Sequence, residues 1–166
     1  MFKIMIKEYF TYDSLFLNTQ SPYIDHRFND DYKDDFTENI INNTQKLHEV
    51  VNQLLCRVEL CSNDIAFFKQ DIKVNSGWRP VEYCKRIGLN PSIPHTQGYA
   101  VDLHDPKQSL SNFLFDNQDI FNSINENDAF YCIRVESYKR TKYKLNDDGW
   151  CHIDVGFGVI NNVKVF

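Results

Sequence analysis

Two short stretches of the chain combine residue types that bind metals and activate water. In His95-Thr-Gln-Gly-Tyr-Ala-Val-Asp102 a histidine is followed seven residues later by an aspartate, with Gly98 between them. A glycine there permits the sharp bend that brings both side chains to one place. In Trp150-Cys-His152-Ile-Asp154 the strand period of two puts His152 and Asp154 on one face, and Cys151 and Ile153 on the other. His104 shares a face with Asp102 by the same rule. Two histidines and one carboxylate with an open fourth position form a recurring catalytic zinc set. Spacing alone leaves a plainer reading beside it, in which these are separate polar pairs on the surface.

Such residues need elements to position them. Thr37 is a candidate N-cap for a helix from Phe36 to about Leu60, since apolar residues from Ile40 to Val58 recur at three- and four-residue spacing. Cys61-Ser-Asn-Asp breaks that helix. A strand at Ile72–Asn75 leads into Ser-Gly-Trp-Arg-Pro, residues 76–80. Pro80 is expected in the first turn of a short helix that runs through Ile87 and stops at Gly88. Gly98 to Leu103 alternates as a strand, and Ser109 to Ile124 reads as a helix. Phe130 to Val135 and Trp150 to Val155 read as two more strands. Between them, Glu136 to Gly149 forms a hairpin excursion carrying Lys139, Arg140, Lys142 and Lys144. The tail from Val159 to Phe166 is a last short strand. Residues 1–35 open with the alternating Phe2, Ile4 and Ile6 and read as an N-terminal arm or appendage that packs on the domain or on a partner. Residues 36–166 form the main domain. The class is α+β, a small, mostly antiparallel sheet with helices packed on it.

Composition narrows the function classes. The 166 residues carry 18 Lys plus Arg against 23 Asp plus Glu, a net charge of -5. That argues against a protein that coats nucleic acid, which must neutralise phosphates. No apolar run approaches the length of a membrane-spanning helix. The opening MFKIMIKEYF is too short and too interrupted by charge to read as a secretory signal. The five cysteines are scattered, with no CxxC pair, so neither a disulfide framework nor a thiolate zinc knuckle is expected. His48, on the long helix, is expected to be exposed.

The three motifs taken in order carry a family likeness. Ser-Gly-Trp-Arg-Pro, then His95-x-x-Gly98-x-Ala100-x-Asp102, then Trp150-x-His152, resembles the zinc peptidases that cut bacterial cell-wall peptides. That family includes D-Ala-D-Ala carboxypeptidases, D-Ala-D-Ala dipeptidases and phage L-alanyl-D-glutamate endolysins. The likeness spans about residues 36–156 and implies the small fold shared with the hedgehog signalling domain. It also implies Zn2+, with His95, Asp102 and His152 as ligands. Arg79 matches the family arginine that holds a substrate carboxylate or polarises the scissile carbonyl, and its planar fork suits either task.

Two positions depart from the family pattern. The serine two residues before the first ligand histidine is replaced by Ile93, with Ser92 adjacent. The acidic general base often found three residues before the last ligand is here Gly149. The resemblance to the phage-rich branch offers Glu136 in its place, at the end of the preceding strand; Asp148 and then Asp147 are the other candidates. The function implied is a zinc-dependent peptidase cleaving peptidoglycan stem peptides, a phage lysis or virion-associated enzyme with virion proteins as further partners. It would reside in the host cytoplasm before lysis, or in the virion, and act in the bacterial cell wall. The competing expectation is a non-catalytic virion or docking protein that keeps the peptidase fold, motivated by the missing acid and the aromatic first 35 residues. Neither nucleic acid nor membrane is an expected partner.

Overall fold

The computed structural model describes residues 7–18, 24–91, 94–118, 131–136, 149–157 and 164–165. The alternating Phe2, Ile4 and Ile6, the pair Ser92 and Ile93, the basic segment Lys139 to Lys144, and both Asp147 and Asp148 lie outside these residues.

Helix α1 spans Glu38–Cys61 and is the long wall of the core. The Thr37 side chain accepts the Ile40 N–H and caps its start. Leu47, Val51, Leu54, Leu55 and Val58 are fully buried on one stripe, as the heptad-like spacing requires. Each such leucine contributes about 1.5–3 kcal/mol by leaving water.

A short ribbon pairs β1 (Leu17–Asn18) with β2 (Ile24–Asp25). The main sheet contains β3 (Val74–Ser76), β4 (Ala100–His104), β5 (Tyr131–Val135), β6 (Trp150–Phe157) and β7 (Lys164–Val165). Their order is β3-β4-β6-β5-β7. The first four are antiparallel neighbours, and β7 lies parallel to β5. The α+β class read from the sequence therefore holds. Alternation divides the faces. Val101, Leu103, Cys151, Ile153, Ile133 and Val135 enter the core beneath α1, all 1% exposed or less. Ala100, Asp102, His152, Asp154 and Arg134 fall on the other face.

Two helical expectations shift. Helix α2 is Val81–Arg86, with Pro80 as its extended N-cap rather than its first turn, and it ends one residue before Ile87. Helix α3 is Ser109–Asp116, shorter than the helix expected to Ile124, although residues 119–124 lie outside the description. Its first turn is held from outside. The Asp105 carboxylate accepts the Leu110 and Ser111 N–H groups, both at 2.8 Å, and the Ser111 hydroxyl at 2.7 Å.

Residues before α1 enter the same hydrophobic core. Leu15 and Phe16 are fully buried, and the Trp78 N–H donates to the Leu15 carbonyl at 2.7 Å. The Arg27 guanidinium covers the Phe16 ring at 4.4 Å. His48 differs from its expected exposure: it is half-buried, and its Nε2 lies 2.8 Å from the Phe10 carbonyl, tying this segment to α1.

His26 is 3% exposed and packs against the rings of Tyr32, Trp78 and Tyr83. Burial pushes its imidazole down from 6.5 to about 4, against a weaker opposing pull from Asp25. In the unfolded chain the ring takes a proton near pH 6.5, and in the folded chain only near 4. The unfolded state therefore binds more protons between those values, and stability falls as pH drops from 6.5 towards 4. The full difference amounts to about 3 kcal/mol. Urea unfolding at stepped pH should reveal this slope, and His26→Phe should flatten it; an unchanged slope in the variant would contradict the assignment.

Candidate metal centre

The register of the two central strands builds the site. Asp102 on β4 stands directly opposite His152 on β6, and Ala100 stands opposite Asp154. A slip of one residue would turn all of these side chains into the core. His95 comes from the short helical turn Pro94–Gln97 just before β4. Gly98, at φ +76°, makes the bend between them, and its N–H donates to the His95 carbonyl at 3.2 Å.

The three side chains meet at one point. His95 Nε2 lies 3.4 Å from Asp102 Oδ2, and His152 Nδ1 lies 2.7 Å from Asp102 Oδ1. One nitrogen or oxygen from each residue falls within 4.8 Å of the other two, so the group could hold a metal ion. Tetrahedral ligation at about 2.0–2.1 Å sets neighbouring donor atoms about 3.3 Å apart, a spacing that lies between the two histidine–Asp102 distances and inside the 4.8 Å bound. Two imidazoles and one carboxylate fit a borderline cation better than a hard one such as calcium. His104 lies further along β4, opposite Trp150, and is not part of this group.

Each histidine is held by its other nitrogen. His95 Nδ1 is 2.6 Å from the Gly77 carbonyl, and His152 Nε2 is 3.4 Å from Asp154 Oδ2. These partners leave Nε2 of His95 and Nδ1 of His152 facing the shared point. Burial alone would raise the Asp102 carboxyl, but His95 and His152 overcome it and hold the group far below the usual carboxylate range. For His152, burial works against the proton, while Asp102 and Asp154 outweigh it and raise the ring to about 9. A metal entering at neutral pH therefore displaces a proton there.

The surrounding cleft has a volume of about 480 Å³. Leu89, Pro94 and Trp150 give it an apolar rim, while Arg79, Arg134 and Glu136 bring charge to its walls. Arg79 Nη2 donates to Asp102 Oδ2 at 2.6 Å, and its Nε donates to Ser76 Oγ at 2.6 Å. The Glu136 N–H donates to the His152 carbonyl at 3.1 Å, which continues the β5–β6 pairing and sets Glu136 on the ligand face. Thus His95, Asp102, His152, Arg79 and Glu136 all converge on one cleft. Trp78, by contrast, is a core residue at 1% exposure, and Cys151 points away from the site into the core.

Gly149 explains why no acid stands three residues before His152. A Cβ there would sit 2.6 Å from the Asp105 carbonyl and 3.0 Å from Gln108 Cγ. The Gly149 carbonyl also accepts the Asp105 N–H at 2.8 Å, so the two backbones are locked close. Gly149→Glu should therefore lower stability by about 1–3 kcal/mol through overpacking. Denaturant titration beside the parent protein checks this, and an unchanged midpoint would contradict it.

The sequence reading missed Arg134 and the Gly77 carbonyl. Arg134 lies two residues before Glu136 on a strand, so the period of two would have placed it on the same face. No protein-family model matches the chain, and no curated protein matches it.

Proposed function

We propose that the protein is a zinc-dependent peptidase that cleaves the stem peptides of peptidoglycan, acting as a phage lysis or virion-associated enzyme. The observation that carries this reading is the convergence of His95, Asp102 and His152 in a cleft that Arg79 and Glu136 also line. The order of Ser-Gly-Trp-Arg-Pro, the His95–Asp102 motif and Trp150-x-His152, with its resemblance to the cell-wall zinc peptidases, supports the choice of metal and substrate.

Zinc held by His95, Asp102 and His152 would supply a Lewis acid and a water acidified towards neutral pH. The residues do the rest. Glu136 takes the proton of the attacking water and returns it to the departing amine. Arg79, braced by Ser76 and Asp102, offers a rigid fork to a substrate carboxylate or to the charge that develops on the scissile carbonyl. Gly77 and Asp154 keep the two imidazoles in the orientation that ligation needs.

Elemental analysis of the purified chain should find about one zinc per molecule, lost in His95→Ala. Isolated Gram-negative cell walls should release muropeptides with new amino termini. Bound zinc without any muropeptide release would favour the non-catalytic docking protein. Absence of zinc, with His95→Ala behaving like the parent, would overturn the metal centre itself.

A further inference from the structure

The cleft holds a second guanidinium that this chemistry does not use. Arg134 leaves β5 on the same face as Glu136, opposite Asp154. Its Nε and Nη2 donate to the two Asp154 oxygens at 2.6 and 3.1 Å. Asp154 is 1% exposed, whereas the Arg134 side chain is 38% exposed and lines the cleft. The carboxylate thus lies deep, and the guanidinium lies towards the opening. A buried acid that grips one edge of the fork fixes its plane before any ligand arrives. An anion docking on a fork already held pays little ordering entropy.

Arg79 repeats this arrangement from a different strand. Its side chain is 18% exposed and is anchored below by Asp102 and Ser76. Arg79 grips the β4 carboxylate Asp102, and Arg134 reaches from β5 to grip the β6 carboxylate Asp154; β4 and β6 are paired neighbours, so the two anchoring residues are diagonal to each other. Diagonal residues on paired strands lie about 7–8 Å apart. An extended peptide covers that distance in two to three residues, at about 3.3–3.6 Å each.

We infer that Arg134 is a second carboxylate-binding subsite, so that the cleft selects acidic peptides with two carboxylates, one for each arginine. This inference rests on the peptidase reading and narrows its substrate class. A peptide with one of those carboxylates converted to an amide keeps its shape and loses the charge-assisted pair with one arginine.

The test uses the full-length, zinc-loaded protein carrying Glu136→Gln, so that the ligand is bound and not consumed. An acidic stem tripeptide, and analogues with each carboxylate in turn replaced by an amide, are titrated calorimetrically. Amidation at one position should weaken binding about 10–100-fold, and adding Arg134→Gln should erase that penalty. Amidation at a different position should give a penalty erased by Arg79→Gln instead. Arg134→Lys keeps a cation beside Asp154 without the planar fork and should retain only part of the penalty; it carries the comparison if Arg134→Gln fails to fold or to hold zinc. If an Arg79-dependent penalty is found but none depends on Arg134, the subsite is refuted and the peptidase reading stands. If no tripeptide binds the zinc-loaded protein, both fall.

Discussion

Glu136→Gln is expected to lower muropeptide release by about 10²–10⁴-fold while leaving bound zinc at its original level. The substitution keeps side-chain volume and the backbone pairing, because the Glu136 N–H and not its carboxyl donates to the His152 carbonyl. Only the capacity to accept a proton is removed. Position supports the choice: Glu136 follows Val135, which pairs with Ile153, so it falls beside His152 on the ligand face and lines the cleft. Asp148→Asn and Asp147→Asn are the matched comparisons, and each should retain most of the activity. Loss in Asp148→Asn with full activity in Glu136→Gln would transfer the role of base to Asp148. Loss of zinc along with activity in Glu136→Gln would make Glu136 a ligand or a support.

Gly77→Ala is expected to damage the metal centre from behind. A Cβ at Gly77 would stand 2.2 Å from the Leu15 carbonyl oxygen and 2.7 Å from its Cα, both rigid backbone. Either the strand end or the segment around Leu15 must move. The Gly77 carbonyl is the partner of His95 Nδ1, and the next residue's N–H is bonded to the same Leu15 carbonyl. The displacement therefore reaches a ligand directly. Stability should fall by about 3 kcal/mol or more, at the upper end of overpacking costs. Zinc affinity, measured by chelator competition on the folded fraction, should drop about 10–100-fold, as when a ligand's outer partner is lost. Gly88→Ala serves as the control. Gly88 also has φ +76°, yet a Cβ there meets nothing within 4 Å. It should cost about 1 kcal/mol of backbone strain and leave zinc affinity unchanged.

Most of the site could be read from the sequence because period-two strands and a helix-spaced stripe leave strong marks. The alternation through Asp102 and through His152–Asp154 assigns faces correctly, and the spacing from Ile40 to Val58 gives α1 within a residue or two at each end. What stayed hidden depends on contacts distant along the chain. Gly77 is tight only because Leu15, far away in sequence, lies across it. Gly149 looks like a lost catalytic acid until Asp105 is found against it. His26 has no partner motif in sequence, since its neighbours Tyr32, Trp78 and Tyr83 come from three separate segments. The end of α3 at Asp116 was also illegible, because apolar spacing continues beyond it in the sequence.

The direct opposition of Asp102 and His152 has a kinetic meaning. These two residues are 50 positions apart, and they meet only after β4 and β6 have paired in the correct register. A site whose ligands all lie in one short loop can gather its ion early and nucleate folding. A metal held by this group would have nowhere to bind until the central sheet exists, so it would be expected to engage after the folding transition state. It should leave the refolding rate nearly unchanged and act on the reverse step, as a brake on unfolding.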